Sequence, residues 1–173
     1  MRKLLITAAA ATVFAVPAVE AATNSGTLTV EATVAASCTV NTSSTGTTTN
    51  AVLNFGTVSS FAANTDANTS STGGSQVGVL CNNGTAWTLA MDGGSNISGT
   101  TQRQMEGGDT EYIPYNLYSD SGYTTAIGVN TTALSGTGTG TLQSYDIYGR
   151  IPAGSTLPSV GAYSDTVTMT ITY

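Results

Sequence analysis

At 173 residues the chain has room for one domain once an N-terminal leader is set aside. Beyond residue 21 the four basic residues of the whole chain lose Arg2 and Lys3 and the ten acids lose Glu20, leaving Arg103 and Arg150 against nine carboxylates, a net charge of −7 with no Lys or His. That balance excludes nucleic-acid binding, which needs cations to meet phosphates, and disfavours charge-driven adhesion to anionic lipid.

Residues 1–21 have the layout of a signal peptide. Arg2 and Lys3 form a basic start, and residues 4–16 are apolar but too short to span a bilayer as an anchor. Val19 and Ala21 place small side chains at the −3 and −1 positions of a cut before Ala22. The rest is rich in Thr, Ser, Gly, Asn and Ala, with apolar residues patterned in strands, so a disordered linker is a poor description. The mature chain is expected to be exported and soluble.

Residues 27–34 alternate strictly, with Leu28, Val30, Ala32 and Val34 on one face and Thr27, Thr29, Glu31 and Thr33 on the other. This two-residue period predicts a strand with one face to bury, and no turn joins it to a partner. Cys38 follows, and its one possible partner is Cys81. An even count in an exported chain favours a disulfide over two free thiols, and the enclosed 43 residues are worth about 4 kcal/mol of loop entropy. A metal site is disfavoured because the spacing is not CxxC and no His is present.

Residues 41–50 are a loop by composition, 52–56 a short strand, and 59–75 a long polar surface loop. Residues 76–81 and 86–91 are strands, and Asn82-Asn83-Gly84 between them is a hairpin-turn signal. Trp87, Leu89 and Met91 share one face and belong to the core. Asp92-Gly93-Gly94 ends that strand, and 97–111 suggests a short edge strand with loops. Residues 112–118 form a strand with Tyr115 and Leu117 on one face, and Pro114 implies an edge or a strand start. A turn at 119–122 follows, then a glycine-rich hairpin connection at 136–140 before a strand over 142–151. The last segment alternates again, with Val167, Met169, Ile171 and Tyr173 on one face. Short strands with Gly, Asn and Pro punctuation and no helix-period segment predict an all-β sandwich with Greek-key connections, a β-barrel being the second choice.

Little here supports catalysis. No mature His or Lys can activate a Ser or Thr, and the glycine run at 136–140 lacks the Lys and helix of a phosphate loop. Glu106, Asp109 and Glu111, with Asp92, read as a solvated acidic loop ahead of a Ca²⁺ site or a carboxylate pair. Tyr112, Tyr115, Tyr118, Tyr145, Tyr148 and Tyr163 fit sandwich packing and cross-strand pairing better than a sugar-binding surface.

Several segments together carry a resemblance. They are the leader, the alternating strand and Cys38; Leu53-Asn54-Phe55-Gly56 and Cys81; Met91-Asp92-Gly93-Gly94; Tyr115-Asn116-Leu117-Tyr118-Ser119-Asp120; Tyr148-Gly149-Arg150-Ile151-Pro152; and residues 161–173. The mature chain resembles the spore coat protein U domain family, which includes pilin subunits of archaic (Csu-type) chaperone–usher pili. The resemblance implies an incomplete immunoglobulin-like sandwich lacking its last strand. A periplasmic chaperone would lend a strand, and at the outer-membrane usher the N-terminal segment of the next subunit would replace it. It implies a signal peptide at 1–21, a donor segment at 22–37 with Leu28, Val30, Ala32 and Val34 as its inserted face, and a pilin domain at 38–173. Val167, Met169, Ile171 and Tyr173 would line the acceptor groove, with no further strand to cover their edge. The Cys38–Cys81 disulfide would tie the first core strand to the sheet. The expected role is a structural pilin for attachment and biofilm formation, reaching the cell surface through the periplasm, with neighbouring pilins as partners and no cofactor. A secreted coat protein assembled by the same route, or a carbohydrate-binding tip adhesin, are the alternatives.

Overall fold

The computed structural model describes residues 20–41, 47 and 49–173, so the expected leader lies almost wholly outside the described residues. The chain divides into a unit ending at Thr33 and a body, Val34–Tyr173.

The body is all-β. Ten strands occur among the described residues, and every ladder is antiparallel. They are β1 (Cys38–Val40), β2 (Thr65–Asn68), β3 (Val77–Cys81), β4 (Ala86–Met91), β5 (Arg103–Glu106), β6 (Tyr112–Tyr118), β7 (Thr131–Thr137), β8 (Gln143–Tyr145), β9 (Tyr148–Ile151) and β10 (Met169–Thr172). They assemble as three sheets, ordered β1-β3-β8, β10-β4-β7 and β2-β9-β6-β5.

Alternation decides which side chains enter the core. Trp87, Leu89 and Met91 of β4 are almost fully buried, as are Ile113, Tyr115 and Leu117 of β6. Successive residues point to opposite faces, so the residues between them remain exposed or half-buried. Val77, Val79 and Cys81 from β3 and Ile151 from β9 complete one core shared by all three sheets. Cys38 stands opposite Cys81 in the β1/β3 register, and the two form a disulfide with Cα atoms 4.1 Å apart.

Pro114 behaves as its chemistry requires. The β6/β9 ladder covers only Asn116, Leu117 and Tyr118, so at Pro114 the strand has a neighbour on one side, β5, alone.

Several elements differ from expectation. The turn at Asn82-Asn83-Gly84 forms, with Gly84 at φ 82° and the Thr85 N–H bonded to the Asn82 carbonyl. It joins no hairpin, because β3 pairs with β1 and β8 while β4 pairs with β10 and β7. Turn chemistry specifies a reversal of the chain; whether the flanking strands share a sheet depends on other partners. Residues 52–56 are not a strand and make one bridge, Val52 to Ser75. The single strand expected at 142–151 is two strands in different sheets, β8 and β9. Between them Asp146 turns its carboxylate to the side chains of Thr69, Ser70 and Gln76, and the Thr69 hydroxyl takes the Ile147 N–H. The polar stretch 59–75 contains β2, whose ladder to β9 relies on main-chain bonds rather than an apolar face. β7 carried no sequence signal for the same reason: its exposed residues are Thr and Ser.

The glycines at 136–140 are more than a flexible connection. A Cβ on Gly136 would stand 2.8 Å from the Trp87 ring, and one on Gly138 would stand 2.3 Å from the Asn82 carbonyl oxygen. Glycine is needed there for close packing.

Residues 20–37 lie in no strand. The segment 27–34, expected as a strand without a partner in its own chain, pairs with no strand among the described residues. Alternation prepares a face, but a strand exists only when another strand bonds to it. Leu28, Val30 and Val34 are 89%, 84% and 81% exposed, an unusual state for three apolar side chains on one face.

Candidate assembly groove

An apolar groove of about 480 Å³ opens in the body. Its floor is the core itself: Val77 from β3, Met91 from β4, Tyr115 and Leu117 from β6, and Ile147. One wall is the segment from Asn50 to Phe55, where the Phe55 ring meets Tyr115 edge-on at 6.4 Å. The other wall is the approach to β10, Tyr163 through Val167, with Met169.

Among the described residues β10 is the edge strand of its sheet, with β4 its only ladder neighbour. The carbonyls of Thr166 and Thr168 accept from the N–H groups of Ser95 and Asp92, so the even-numbered residues direct their main-chain groups toward β4 and its extension. In an antiparallel ladder the intervening residues direct theirs the other way. Val167, Met169 and Ile171 thus offer N–H and C=O groups along the outer edge while their side chains pack against the core. Tyr173 does not join them: it is 59% exposed, and β10 stops at Thr172. The expected face of four is a face of three.

The wall from 163 to 168 precedes the ladder and is held largely by carboxylates. Asp92 accepts N–H bonds from Gly94 at 2.9 Å and Thr168 at 2.8 Å. Burial opposes its ionisation, but these bonds and the nearby Arg103 outweigh it and keep its pKa below the ordinary value. Asp165 accepts from the Tyr115 hydroxyl at 2.7 Å and the Ser95 N–H at 2.8 Å. Burial and that carboxylate push the Tyr115 pKa far up, so its hydroxyl remains a donor. Glu111 takes the Ser159 N–H and the Tyr163 hydroxyl, which lower its pKa.

Glu106 bonds Tyr112, Asp92 serves Thr168, and among the described residues no three His, Cys, Asp or Glu side chains gather as metal ligands. The six tyrosines do not form one platform either. Tyr115 is in the core, Tyr145 meets Trp87 edge-on, and Tyr112 and Tyr163 bond Glu106 and Glu111. Tyr118 and Tyr148 flank Tyr123, whose ring lies 4.1 Å from the Arg150 guanidinium, itself bidentate to Asp66.

Sequence reasoning missed Arg103. It is 3% exposed and donates to the carbonyls of Met91, Asp92, Ile127 and Gly128. It clamps the end of β4 to the 127–128 loop. Its scarcity, as one of two cations beyond the leader, was the only available hint.

Comparison with known proteins follows the same outline. The chain is 32% identical to Protein U of Myxococcus xanthus over 175 aligned residues, covering 97% of this chain and 94% of that protein. In fold it is similar to a chain of the crystal structure of the CsuC–CsuE chaperone–tip adhesion subunit pre-assembly complex from the archaic chaperone–usher Csu pili of Acinetobacter baumannii. That match has a TM-score of 0.52 and 22% identity, covering 82% of this chain and 40% of that one, so it is a likeness of fold. The Spore Coat Protein U domain matches residues 24–170, nearly all of the body and the segment just before it, and the chain belongs to that family of structural, non-enzymatic proteins.

Proposed function

We propose that this chain is a structural subunit that polymerises by donor-strand exchange. The body is an incomplete immunoglobulin-like sandwich whose missing strand is supplied by residues 27–34 of another copy, Leu28, Val30, Ala32 and Val34 entering the groove. Before assembly a periplasmic chaperone fills the groove; at an outer-membrane usher the next subunit displaces it, and the product is a surface pilus serving attachment and biofilm formation. The signal peptide at 1–21 sends the chain into the oxidising compartment in which the Cys38–Cys81 bond persists.

One observation carries this reading. Among the described residues the outer edge of β10 is unpaired beside an apolar groove, and the exposed alternating segment 27–34 joins no ladder. Each half alone is an aggregation hazard; together they are complementary. From 28 to 34 an extended segment runs about 20 Å at about 3.4 Å per residue. Burying Leu28, Val30 and Val34 contributes about 5–8 kcal/mol gross, before the ladder bonds.

The test is the double substitution Val30→Asp with Val34→Asp. Two carboxylates would have to enter an apolar groove, so multimers resistant to SDS should be lost while binding of the chaperone to the groove is retained. Normal assembly by that variant would sink the proposal. The family's description also favours a second product of the same chemistry, a protective coat, and electron microscopy of producing cells separates a layer from fibres.

A further inference from the structure

Two apolar side chains beside the groove are left in solvent. Leu157 is 66% exposed and Val160 fully exposed, and neither belongs to the core cluster. Both sit in the loop between β9 and β10, and Ser159 between them is fastened down. Its N–H donates to the Glu111 carboxylate, and its carbonyl accepts the Tyr163 hydroxyl at 2.9 Å. Tyr163 also lines the groove, so the exposed pair is held at the groove's margin.

The course of β10 fixes which end of the groove this is. Thr172 stands opposite Thr88 and Met169 opposite Met91. Back from Met169 the chain runs past Asp92 and Ser95 to Ser164, which is bridged to Glu106. Tyr163 and the 157–160 loop are therefore at the end away from Thr172. Every ladder among the described residues is antiparallel, the more stable pairing per residue. A donor strand antiparallel to β10 enters with Leu28 toward Ile171 and leaves with Val34 toward Tyr163. The body of the donor copy follows at once. The Ser37 carbonyl accepts the Asn82 N–H at 3.0 Å, so Ser37 is already fixed to its own body and only Ala35 and Ala36 are left as a tether. From Val34 to Ser37 such a tether reaches about 10 Å at about 3.4 Å per residue.

We propose that Leu157 and Val160 form a seat for the body of the donor copy, packing against its Ala35, Ala36 and the turn at 82–84 once its strand lies in the groove. This rests on the strand-exchange reading above. The occupant is a second copy of this chain because the short tether brings that copy's own body to the loop. Asn82 carries the turn there, since it is bonded to the Ser37 that ends the tether. The two alanines suit the seat, because small side chains let the apolar pair close on the main chain. The seat adds apolar area outside the groove and restricts the swing of one copy on the next.

The experiment assembles the full chain carrying Val160→Cys with Ala36→Cys, oxidises the multimers and then dissolves them by heating in SDS. A ladder of covalent oligomers should remain, with the 36–160 link between copies identified by mass spectrometry. Val160→Cys with Ser25→Cys should leave none, because residue 25 lies at the other end of the donor strand. Separately, multimers of Leu157→Ser with Val160→Ser should dissociate about tenfold faster in SDS at a fixed temperature. A fluorescent peptide of residues 24–34, which carries no body to be seated, should bind equally well to acceptors with and without those two serines, each acceptor also carrying Val30→Asp and Val34→Asp to disable its own donor. Absence of the 36–160 link, a link from residue 25 in its place, or unchanged dissociation overturns the seat alone. So does a serine variant whose multimers are unchanged but which no longer binds the chaperone, since the loop would then serve that partner. A peptide bearing Val30→Asp and Val34→Asp that binds as well as the native one overturns strand exchange, and the seat with it.

Discussion

Removing the Cys38–Cys81 bond tests how the body holds its first strand. β1 has three residues and one ladder neighbour, so it has few bonds of its own. The crosslink closes a 43-residue loop, and its loss frees the denatured chain by about 4 kcal/mol in the loop-entropy account. Substituting Cys38→Ala with Cys81→Ala also deletes two buried sulfurs, adding a cavity cost of order 1 kcal/mol. Measured by urea unfolding in the Val30→Asp, Val34→Asp background, which keeps the chain monomeric, the total loss should be about 4–5 kcal/mol. Melting should fall by about 8–20 °C, and the denaturant slope should rise as the unfolded chain expands. Amides of β1 should exchange fastest, because the strand opens locally once untied. A loss under about 1 kcal/mol with an unchanged slope would refute the reasoning, since the bond would then not be restraining the denatured chain.

Two further outcomes follow from the described bonds. Arg103→Met leaves the buried carbonyls of Met91, Asp92, Ile127 and Gly128 without their donor, and should cost about 3–5 kcal/mol by urea unfolding; Arg103→Lys, with no planar fork, should recover only part, and a loss under about 1 kcal/mol for the Met variant would contradict the clamp. Asp120 takes N–H bonds from Gly122, Thr124 and Thr125, chiefly the last, which depress its pKa to about 2. A depressed carboxylate stabilises the fold above its ordinary pKa and ceases to as pH falls through the folded value. The 119–125 loop should hold to about pH 3 and loosen near pH 2, read from the Asp120 carboxyl shift and Thr125 amide by NMR; a midpoint near 4 would contradict the caging.

Much of the body was legible because burial and alternation coincide. Trp87, Leu89 and Met91 were assigned to the core from spacing alone, Tyr115 and Leu117 to one face of their strand, and the core contains all five. Where a strand is defined by main-chain bonds rather than an apolar face, as in β2 and β7, the side chains carry no period to read. The break between β8 and β9 depends on Asp146 reaching back to Thr69, Ser70 and Gln76, contacts no local window contains. The same limit hid Arg103, whose four acceptors are carbonyls and leave no mark in sequence. Val167, Met169 and Ile171 were legible as an alternating face, and they pack against the core, while Tyr173, next in that alternation, is 59% exposed. On the opposite wall, residues 52–56 were expected as a strand and make only the Val52–Ser75 bridge.

The central claim is that residues 27–34 of one copy complete the sheet of the next. The most direct measurement is an electron cryomicroscopy reconstruction of the assembled multimer. The account predicts continuous density along the outer edge of β10, traceable to Leu28, Val30, Ala32 and Val34 of a neighbouring copy, with those side chains directed into the groove. An empty β10 edge, or one covered by a segment of the same copy, would contradict it.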